Sequence, residues 1–198
     1  MIKNIIFDVG KVLVSYEPDE YMKSLGLSQE EMDAINGAMF KNKNWDLMDQ
    51  GVLGQKEALE KFIEGAPAYE TTIRQIYDTI GKTVELYPYA MEWLTELKEK
   101  GYHLYILSNY SEQMMKQTKD KLSFLSLVDG AVFSYECKLM KPESVMYEHL
   151  CHKYQLHASE CVFVDDRLEN VEGARKCGIQ AIQFENYEQG KLALLGML

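Results

Sequence analysis

The sequence predicts an α/β fold, with a Rossmann-like parallel sheet as its core and an inserted α-helical cap. Three observations lead to this prediction. Five short apolar runs alternate with segments of helical periodicity, as in a parallel sheet with crossover helices. A long stretch between the first and second runs contains helical patterns and no convincing strand. Polar residues of catalytic types follow four of the five runs.

The apolar runs are predicted to be strands that are buried on both faces of the sheet, because they are short, continuous and rich in branched or aromatic residues. In chain order the runs cover residues 5–7, 104–107, 131–133, 161–164 and 181–182.

The segments between the later runs are predicted to be helices with one apolar face. Pro88, Ser111 and Pro142 are suited to helix starts, while Gly101 and Gly178 are suited to helix ends. The predicted inward faces consist of Met91, Leu94 and Leu97; Met114 and Met115; Val145, Met146, Leu150 and Tyr154; and Leu168, Val171 and Ala174.

Residues 16–82 are predicted to form the cap, and residues 1–15 and 83–198 the α/β core domain. Ser28 and Glu31 have the spacing of a capping box at the start of one cap helix. Later apolar stripes predict two more helices. An insertion at this point of the chain lies where a lid would cover the strand ends.

The composition excludes several classes of protein. The 198 residues carry a formal net charge of −10 and are 46% hydrophobic, which predicts one globular domain, or one domain that carries an insertion. Such an acidic chain predicts no nucleic-acid partner and no membrane partner, and no apolar run approaches the ~20 residues of a membrane span. The four cysteines form no C-x-x-C pair, which predicts reduced thiols and a cytoplasmic location. We expect a monomer or a weak homodimer.

The residues that follow the apolar runs are those needed for metal-assisted phosphoryl transfer. Asp8 follows the first run, Ser108 and Asn109 the second, Lys141 the third after a short gap, and Asp165 with Asp166 the fourth. Because ligands of open α/β sheets bind at the carboxyl ends of the strands, we expect these side chains to converge there.

Four segments resemble the motifs of the haloacid dehalogenase-like hydrolase superfamily. They are FDVGKVL at 7–13, LSN at 107–109, KPE at 141–143 and VDDRLEN at 164–170. They occur in the order of that family and cover the whole chain. The branch that contains bacterial α-D-glucose-1-phosphate phosphatase is the most similar, because its first motif also has Gly at the position of Gly10.

This resemblance implies that Asp8 is the nucleophile and becomes an aspartyl-phosphate. It implies Mg²⁺ as the cofactor, with Asp8, the backbone carbonyl of Gly10 and Asp166 as ligands. Asp165 would not bind the metal itself but would orient one of the ligands or a water. The substrate would be a small phosphorylated metabolite.

The resemblance also implies the phosphate-binding residues. Ser108 matches the donor to a phosphate oxygen, Asn109 lies beside it at the same rim, and Lys141 matches the cation that stabilises the transferring phosphate. Lys138 competes for the role of Lys141, but Pro142 and the helical pattern after it favour Lys141. We expect Lys138 to be a solvated loop charge.

Asn170 stands where many family members carry a third acid. It is interpreted either as a hydrogen-bonding partner of the acidic pair or as a residue of the helix surface. In the cap, Tyr16, Trp45 and Met48 are candidates for a substrate pocket, although bundle core is the simpler interpretation of such residues.

Gly10 departs from the pattern of most family phosphatases, which have a second Asp there as general acid and base. Three explanations stay open: a good leaving group such as a sugar C1 hydroxyl, another residue in that role, or weak catalysis. The alternatives to a phosphatase are a binding or regulatory protein with weakened catalysis, a dehalogenase and a phosphonatase.

Overall fold

The computed structural model describes residues 1–198 and contains a five-stranded, fully parallel sheet. The strands are β1 (Asn4–Phe7), β2 (His103–Ser108), β3 (Gly130–Phe133), β4 (Cys161–Asp165) and β5 (Gln180–Gln183). Their order in the sheet is β3-β2-β1-β4-β5, and all four pairings are parallel. The direction of winding reverses beside β1, and such a switch point opens a crevice at the carboxyl ends of the strands.

Eleven α-helices accompany the sheet. They are α1 (Pro18–Ser24), α2 (Gln29–Ala38), α3 (Lys43–Asp49), α4 (Gln55–Gly65), α5 (Glu70–Asp78), α6 (Ala90–Glu99), α7 (Glu112–Thr118), α8 (Ser134–Cys137), α9 (Ser144–Tyr154), α10 (Leu168–Lys176) and α11 (Tyr187–Leu195). None of them is long and apolar enough to cross a membrane.

The strands are buried on both faces, as the continuous apolar runs predict. Every residue of β1 and of β4 is buried. Ile5 and Phe7 belong to one apolar cluster, whereas Ile6 and Phe163 belong to a second cluster on the opposite face. The predicted α/β fold with a parallel sheet is therefore confirmed.

Four details of the core helices were predicted wrongly. Helix α6 begins at Ala90 and helix α9 begins at Ser144, so Pro88 and Pro142 lie in the preceding turns. Val145 is 43% exposed, because the buried face of α9 includes Met146 and does not include Val145. Leu168 is 48% exposed, since it is the first residue of α10 and precedes the buried face of that helix.

Helices α1 to α5 lie in the chain between β1 and α6, and residues 16–82 contain no strand. The capping box is present: Glu31 N–H donates to the Ser28 hydroxyl at 3.3 Å, and Ser28 N–H donates to Glu31 Oε2 at 2.7 Å. One apolar cluster runs through these helices and the sheet, including both Ile35 and Phe7. The boundaries between core and cap stay a prediction.

The end of α3 is tied to the core by three consecutive residues. The Ser134 hydroxyl donates to the Asp49 carbonyl at 2.5 Å, Gln50 Nε2 donates to the Lys138 carbonyl at 2.9 Å, and Lys138 Nζ donates to the Gly51 carbonyl at 2.7 Å. Lys138 lies in a loop and is exposed, as the interpretation of a solvated loop charge expects, and its ammonium group also joins the two parts of the chain. We call these three bonds the α3 latch.

Candidate active site

The polar residues predicted at the strand ends do converge at one edge of the sheet. Strand β1 pairs with β2 and β4 so that Phe7 lies opposite Ile106 and Val164. Asp8 is therefore level with Asp165, the last residue of β4, and Ser108 ends β2 nearby. The parallel pairing alone places these groups side by side.

Lys141 lies between two carboxylates in the interior. Its Nζ is 2.8 Å from Asp8 Oδ1 and 2.7 Å from Asp165 Oδ2, and it lies 5.2 Å from the centre of the Phe163 ring. Burial alone would lower the pKa of Lys141, but the charges of Asp165 and Asp8 raise it above its usual value. Lys141 is therefore a buried cation, fixed beside Asp8 by two ion pairs.

One oxygen of Asp8 is held by three donors. Asp8 Oδ1 accepts from the Val9 N–H at 2.7 Å, from the Ser108 hydroxyl at 2.7 Å and from Lys141. Oδ2 accepts no hydrogen bond from the protein, so this oxygen keeps its lone pairs for a ligand. Burial raises the pKa of Asp8 to about 6 in spite of the Lys141 charge, and the charge of Asp165 adds to the rise.

Asp165 has no free capacity for a ligand. Its oxygens accept from Lys141 Nζ at 2.7 Å, from the Arg167 N–H at 2.8 Å and from Asn170 Nδ2, which is 3.0 Å from each oxygen. Asn170 is itself buried, and its backbone carbonyl accepts a hydrogen bond from the Tyr147 hydroxyl at 2.7 Å. Asn170 therefore belongs to the hydrogen-bond network of the site and not to the helix surface.

Ser108 and Asn109 make different contacts from the phosphate contacts expected of them. Ser108 donates to Asp8 Oδ1. Asn109 Nδ2 donates to the Lys141 carbonyl at 3.0 Å, and Asn109 Oδ1 accepts from the Lys141 N–H at 2.9 Å. Both ends of the Asn109 amide thus hold the Lys141 backbone in place. Phosphate binding by Ser108 and Asn109 stays a prediction.

The carboxylates at this edge form a set of donors suited to a hard divalent cation. Asp8, Asp165 and Asp166 offer oxygens that lie within 4.8 Å of one another. Because Asp165 is saturated, the free donors are Asp8 Oδ2 and the Asp166 carboxylate, and Gly10 lies at the same cavity. Burial and the charge of Asp165 raise the pKa of Asp166. Oxygen donors of this kind fit Mg²⁺, which takes one or two carboxylates and keeps waters.

A cavity of about 400 Å³ opens in front of these groups. Asp8, Lys141 and Asp166 lie along it, and the cap segment contributes Tyr16, Phe40, Trp45, Asp46 and Asp49. The cavity therefore joins the reactive edge of the sheet to the inserted helices. Tyr16 and Trp45 line it as anticipated, but Met48 does not; Met48 is buried and accepts a 3.8 Å contact from the Tyr77 hydroxyl.

Four charged residues of this cavity were missed in the sequence. Lys11 and Arg167 lie in the loops after β1 and β4, and Asp46 and Asp49 lie on α3. Lys11 adopts a left-handed backbone with a φ of 59°, which is uncommon for a residue with a side chain. For Asp49 a signal existed: it stands four residues after the buried Trp45, so an acid shares the apolar face of a helix.

The groups that surround Asp49 shift its titration. Burial and then the charge of Asp46 raise the pKa of Asp49 to about 7, against the opposing effect of donors on Ser111 and Trp45. Burial and then the charge of Asp49 raise the pKa of Tyr16 well above its usual range. Tyr16 is therefore a neutral hydroxyl near the Asp49 carboxylate.

Comparison with known proteins gives a consistent result. The family model described as haloacid dehalogenase-like hydrolase matches residues 2–178. The sesquiterpene phosphatase astK of Aspergillus oryzae is 26% identical over 89% of this chain and 87% of its own length. The D-ribitol-5-phosphate phosphatase of Bacteroides thetaiotaomicron is 24% identical over 94% of this chain and 93% of its own.

A solved structure agrees in fold. It is a haloacid dehalogenase family enzyme of Bacteroides thetaiotaomicron in complex with magnesium and inorganic phosphate. Its TM-score to this chain is 0.75 at 22% identity, and the alignment covers 96% of this chain and 98% of the other. The likeness shows that the sheet and the inserted helices together form one known architecture.

Proposed function

The chain belongs to the haloacid dehalogenase-like hydrolase family, and we propose that it is a Mg²⁺-dependent phosphatase of small phosphomonoesters, with sugar 1-phosphates as the favoured class. In this proposal Asp8 carries the phosphoryl group between two half-reactions. Its full-length relatives named above are phosphatases, which supports this activity over dehalogenation.

The observation that carries the proposal is the fixed contact of Asp8 with a buried cation. A carboxylate attacks a phosphate poorly because both are anions, so the attack needs alignment and a compensating positive charge. The Val9 N–H and Ser108 hydroxyl hold Asp8 in one orientation, and Lys141 supplies the charge 2.8 Å away.

Two balanced steps follow. In the first, an Asp8 oxygen bonds to phosphorus while the bond from phosphorus to the alcohol oxygen breaks; the alcohol oxygen leaves with the electron pair and takes a proton from solvent. In the second, water bonds to the phosphorus of phospho-Asp8 and gives up a proton to solvent, while the bond from phosphorus to the Asp8 oxygen breaks and inorganic phosphate and the Asp8 carboxylate are released. Throughout, Lys141 stays beside the changing negative charge, and Asp165 with Asn109 keeps Lys141 there.

Mg²⁺ bound by Asp8 Oδ2, Asp166 and the Gly10 carbonyl would neutralise phosphate charge. We therefore expect Mg²⁺ to raise the melting temperature of the wild-type protein, because a ligand that binds only the folded state stabilises it. Asp166→Asn should abolish most of this shift, since it removes a free anionic donor. Asp46→Asn makes the same charge change on the cap side of the cavity and should keep the shift.

Differential scanning fluorimetry over a Mg²⁺ titration measures both variants without any substrate. Equal Mg²⁺ affinity in the wild type and Asp166→Asn would remove Asp166 from the metal site.

Gly10 leads to a prediction about the leaving group. With no acid at this position, negative charge builds up on the departing oxygen, so the rate should depend steeply on the pKa of the alcohol. Sugar 1-phosphates and aryl phosphates should react faster than sugar 6-phosphates. Single-turnover formation of phospho-Asp8 is the quantity to measure, because later steps can limit steady-state rates.

Gly10→Asp tests the same prediction in reverse. The backbone of Gly10 is not left-handed, and a Cβ at this position would meet no atom within 4 Å, so a side chain has room. The added acid should make the rate depend less steeply on the pKa of the leaving alcohol. It should speed the reaction of sugar 6-phosphates by about 10²-fold or more, whereas Gly10→Asn should leave both the dependence and these rates unchanged. Equal single-turnover rates for well-bound 1- and 6-phosphates in the wild type would show that another residue donates the proton.

A further inference from the structure

The core segments and the inserted segment contribute different charges to the cavity: the core contributes cations together with Asp8 and Asp166, whereas the insertion contributes carboxylates alone. Every cation that lines it comes from the core segments: Lys11, Lys141 and Arg167. The inserted segment contributes two carboxylates, Asp46 and Asp49, and no Lys or Arg. Lys141 and the other core cations therefore supply the positive charge for a phosphate, whereas the wall that the insertion contributes is negatively charged and repels a second anion.

Asp49 is a rigid part of that opposite wall. The α3 latch holds the backbone of Asp49 and of the two residues after it. The Ser134 hydroxyl that binds the Asp49 carbonyl also accepts from the Tyr110 N–H at 2.9 Å. Tyr110 stands two residues after Ser108, so the latch connects Asp49 to the end of β2 through a single side chain.

Aromatic side chains, two of which carry a hydroxyl group, also line the cavity. Tyr16, Phe40 and Trp45 come from the insertion, and Tyr110 comes from the loop after β2. Aromatic faces pack against the C–H faces of carbohydrates, while a carboxylate accepts hydrogen bonds from hydroxyl groups. Tyr16 keeps a neutral hydroxyl near Asp49, which adds a group able both to donate and to accept.

We propose that this wall, with Asp49 as its fixed charge, selects phosphomonoesters whose alcohol part is uncharged and polyhydroxylated. A second phosphate or a carboxylate on the substrate would approach Asp49, which is partly buried, so the repulsion between like charges is screened less there than at the exposed Asp46. Monophosphates of uncharged sugars and sugar alcohols would therefore bind, whereas bisphosphates and phosphorylated acids would be excluded. We call this selection by charge the filter. The inference rests on the proposed phosphatase function.

Competition against 4-nitrophenyl phosphate hydrolysis tests the filter. Two competitors are compared, α-D-glucose 1-phosphate and α-D-glucuronic acid 1-phosphate, which differ only in a carboxylate that replaces the terminal hydroxymethyl group. Their inhibition constants report binding whether or not either compound is turned over. At pH 8.5 Asp49 is ionised, since its pKa is about 7.

For the wild type we expect the inhibition constant of the glucuronic acid ester to exceed that of the glucose ester by about tenfold or more. Asp49→Asn should reduce this ratio to within about threefold of unity. Asp46→Asn should reduce it less, because Asp46 is exposed and its charge is screened by solvent. Asp33→Asn removes the same charge from an exposed site on α2 outside the cavity and should leave the ratio unchanged.

The proposed phosphatase function and the filter are overturned by different results. Absence of Mg²⁺-dependent 4-nitrophenyl phosphate hydrolysis would overturn the proposed function and the filter with it. Hydrolysis with a wild-type ratio near one would overturn the filter alone. An active Asp49→Asn variant that keeps the wild-type ratio would do the same.

Discussion

Asp8→Asn should lower kcat by about 10⁴-fold or more, because the amide that replaces the carboxylate is a very poor nucleophile and carries no charge for Lys141. The near-isosteric amide keeps the volume of the side chain, so the fold should persist. Steady-state hydrolysis of 4-nitrophenyl phosphate with Mg²⁺ is the measurement. Activity within tenfold of the wild type would show that Asp8 is not the nucleophile.

The unfolding temperature of Asp8→Asn distinguishes a loss of catalysis from a loss of the fold. Burial raises the pKa of Asp8 from 3.8 to about 6, so the folded state disfavours the ionised group. This destabilisation is present above about pH 6 and disappears as the pH falls toward 3.8. Without divalent cations, Asp8→Asn should therefore unfold at a higher temperature than the wild type at pH 7.5, and the difference should shrink near pH 4.

Lys141→Met should lower kcat by about 10³-fold, since the variant removes the only cation that touches Asp8. Methionine keeps an unbranched apolar stem near Phe163. Unfolding should also become easier, because Asp8 and Asp165 would remain buried without their counter-charge. Both effects are measured on the purified protein, by steady-state hydrolysis of 4-nitrophenyl phosphate and by urea denaturation.

Lys138→Met is the matched control for that result. It changes the same residue type three positions earlier, where the ammonium binds the Gly51 carbonyl and contacts neither Asp8 nor Asp165. We expect a loss within about tenfold, from a looser α3 latch. A larger loss for Lys138→Met than for Lys141→Met would mean that the lysine of the third motif has been misassigned.

Local pattern was enough to predict the sheet and the position of its reactive edge. Short apolar runs determine which residues enter a doubly buried parallel sheet, and the residue after each run must then lie at the carboxyl edge. Asp8, Lys141 and Asp165 meet there because the strands pair in parallel, which is a consequence of alternating strands and helices. The inward faces of the helices were predicted less accurately in their first turns, as Val145 and Leu168 show, since the first turn of a helix need not reach the core.

The cap side of the cavity could not be predicted in the same way. Whether Asp49 faces solvent or a cavity depends on how α3 is placed over the core, and that placement is set by contacts about 85 residues apart, such as the bond from Ser134 to Asp49. The bond from Ser108 to Asp8 and the use of Asn109 to hold Lys141 likewise depend on side-chain geometry, which a motif does not specify.

The central claim is that Asp8 carries the phosphoryl group, and trapping it there is the most direct test. Trypsin cleaves after Lys3 and Lys11, so Asp8 lies on the peptide that covers residues 4–11. The wild-type enzyme is mixed with a rapidly reacting aryl phosphate and Mg²⁺ and is quenched in acid within one turnover. We expect this peptide to carry one added phosphoryl group. Hydroxylamine should remove the group, as expected of an acyl phosphate, and Asp8→Asn should never acquire it. A burst of released phenol with this peptide unmodified, or with the phosphoryl group on a different peptide, would contradict the account.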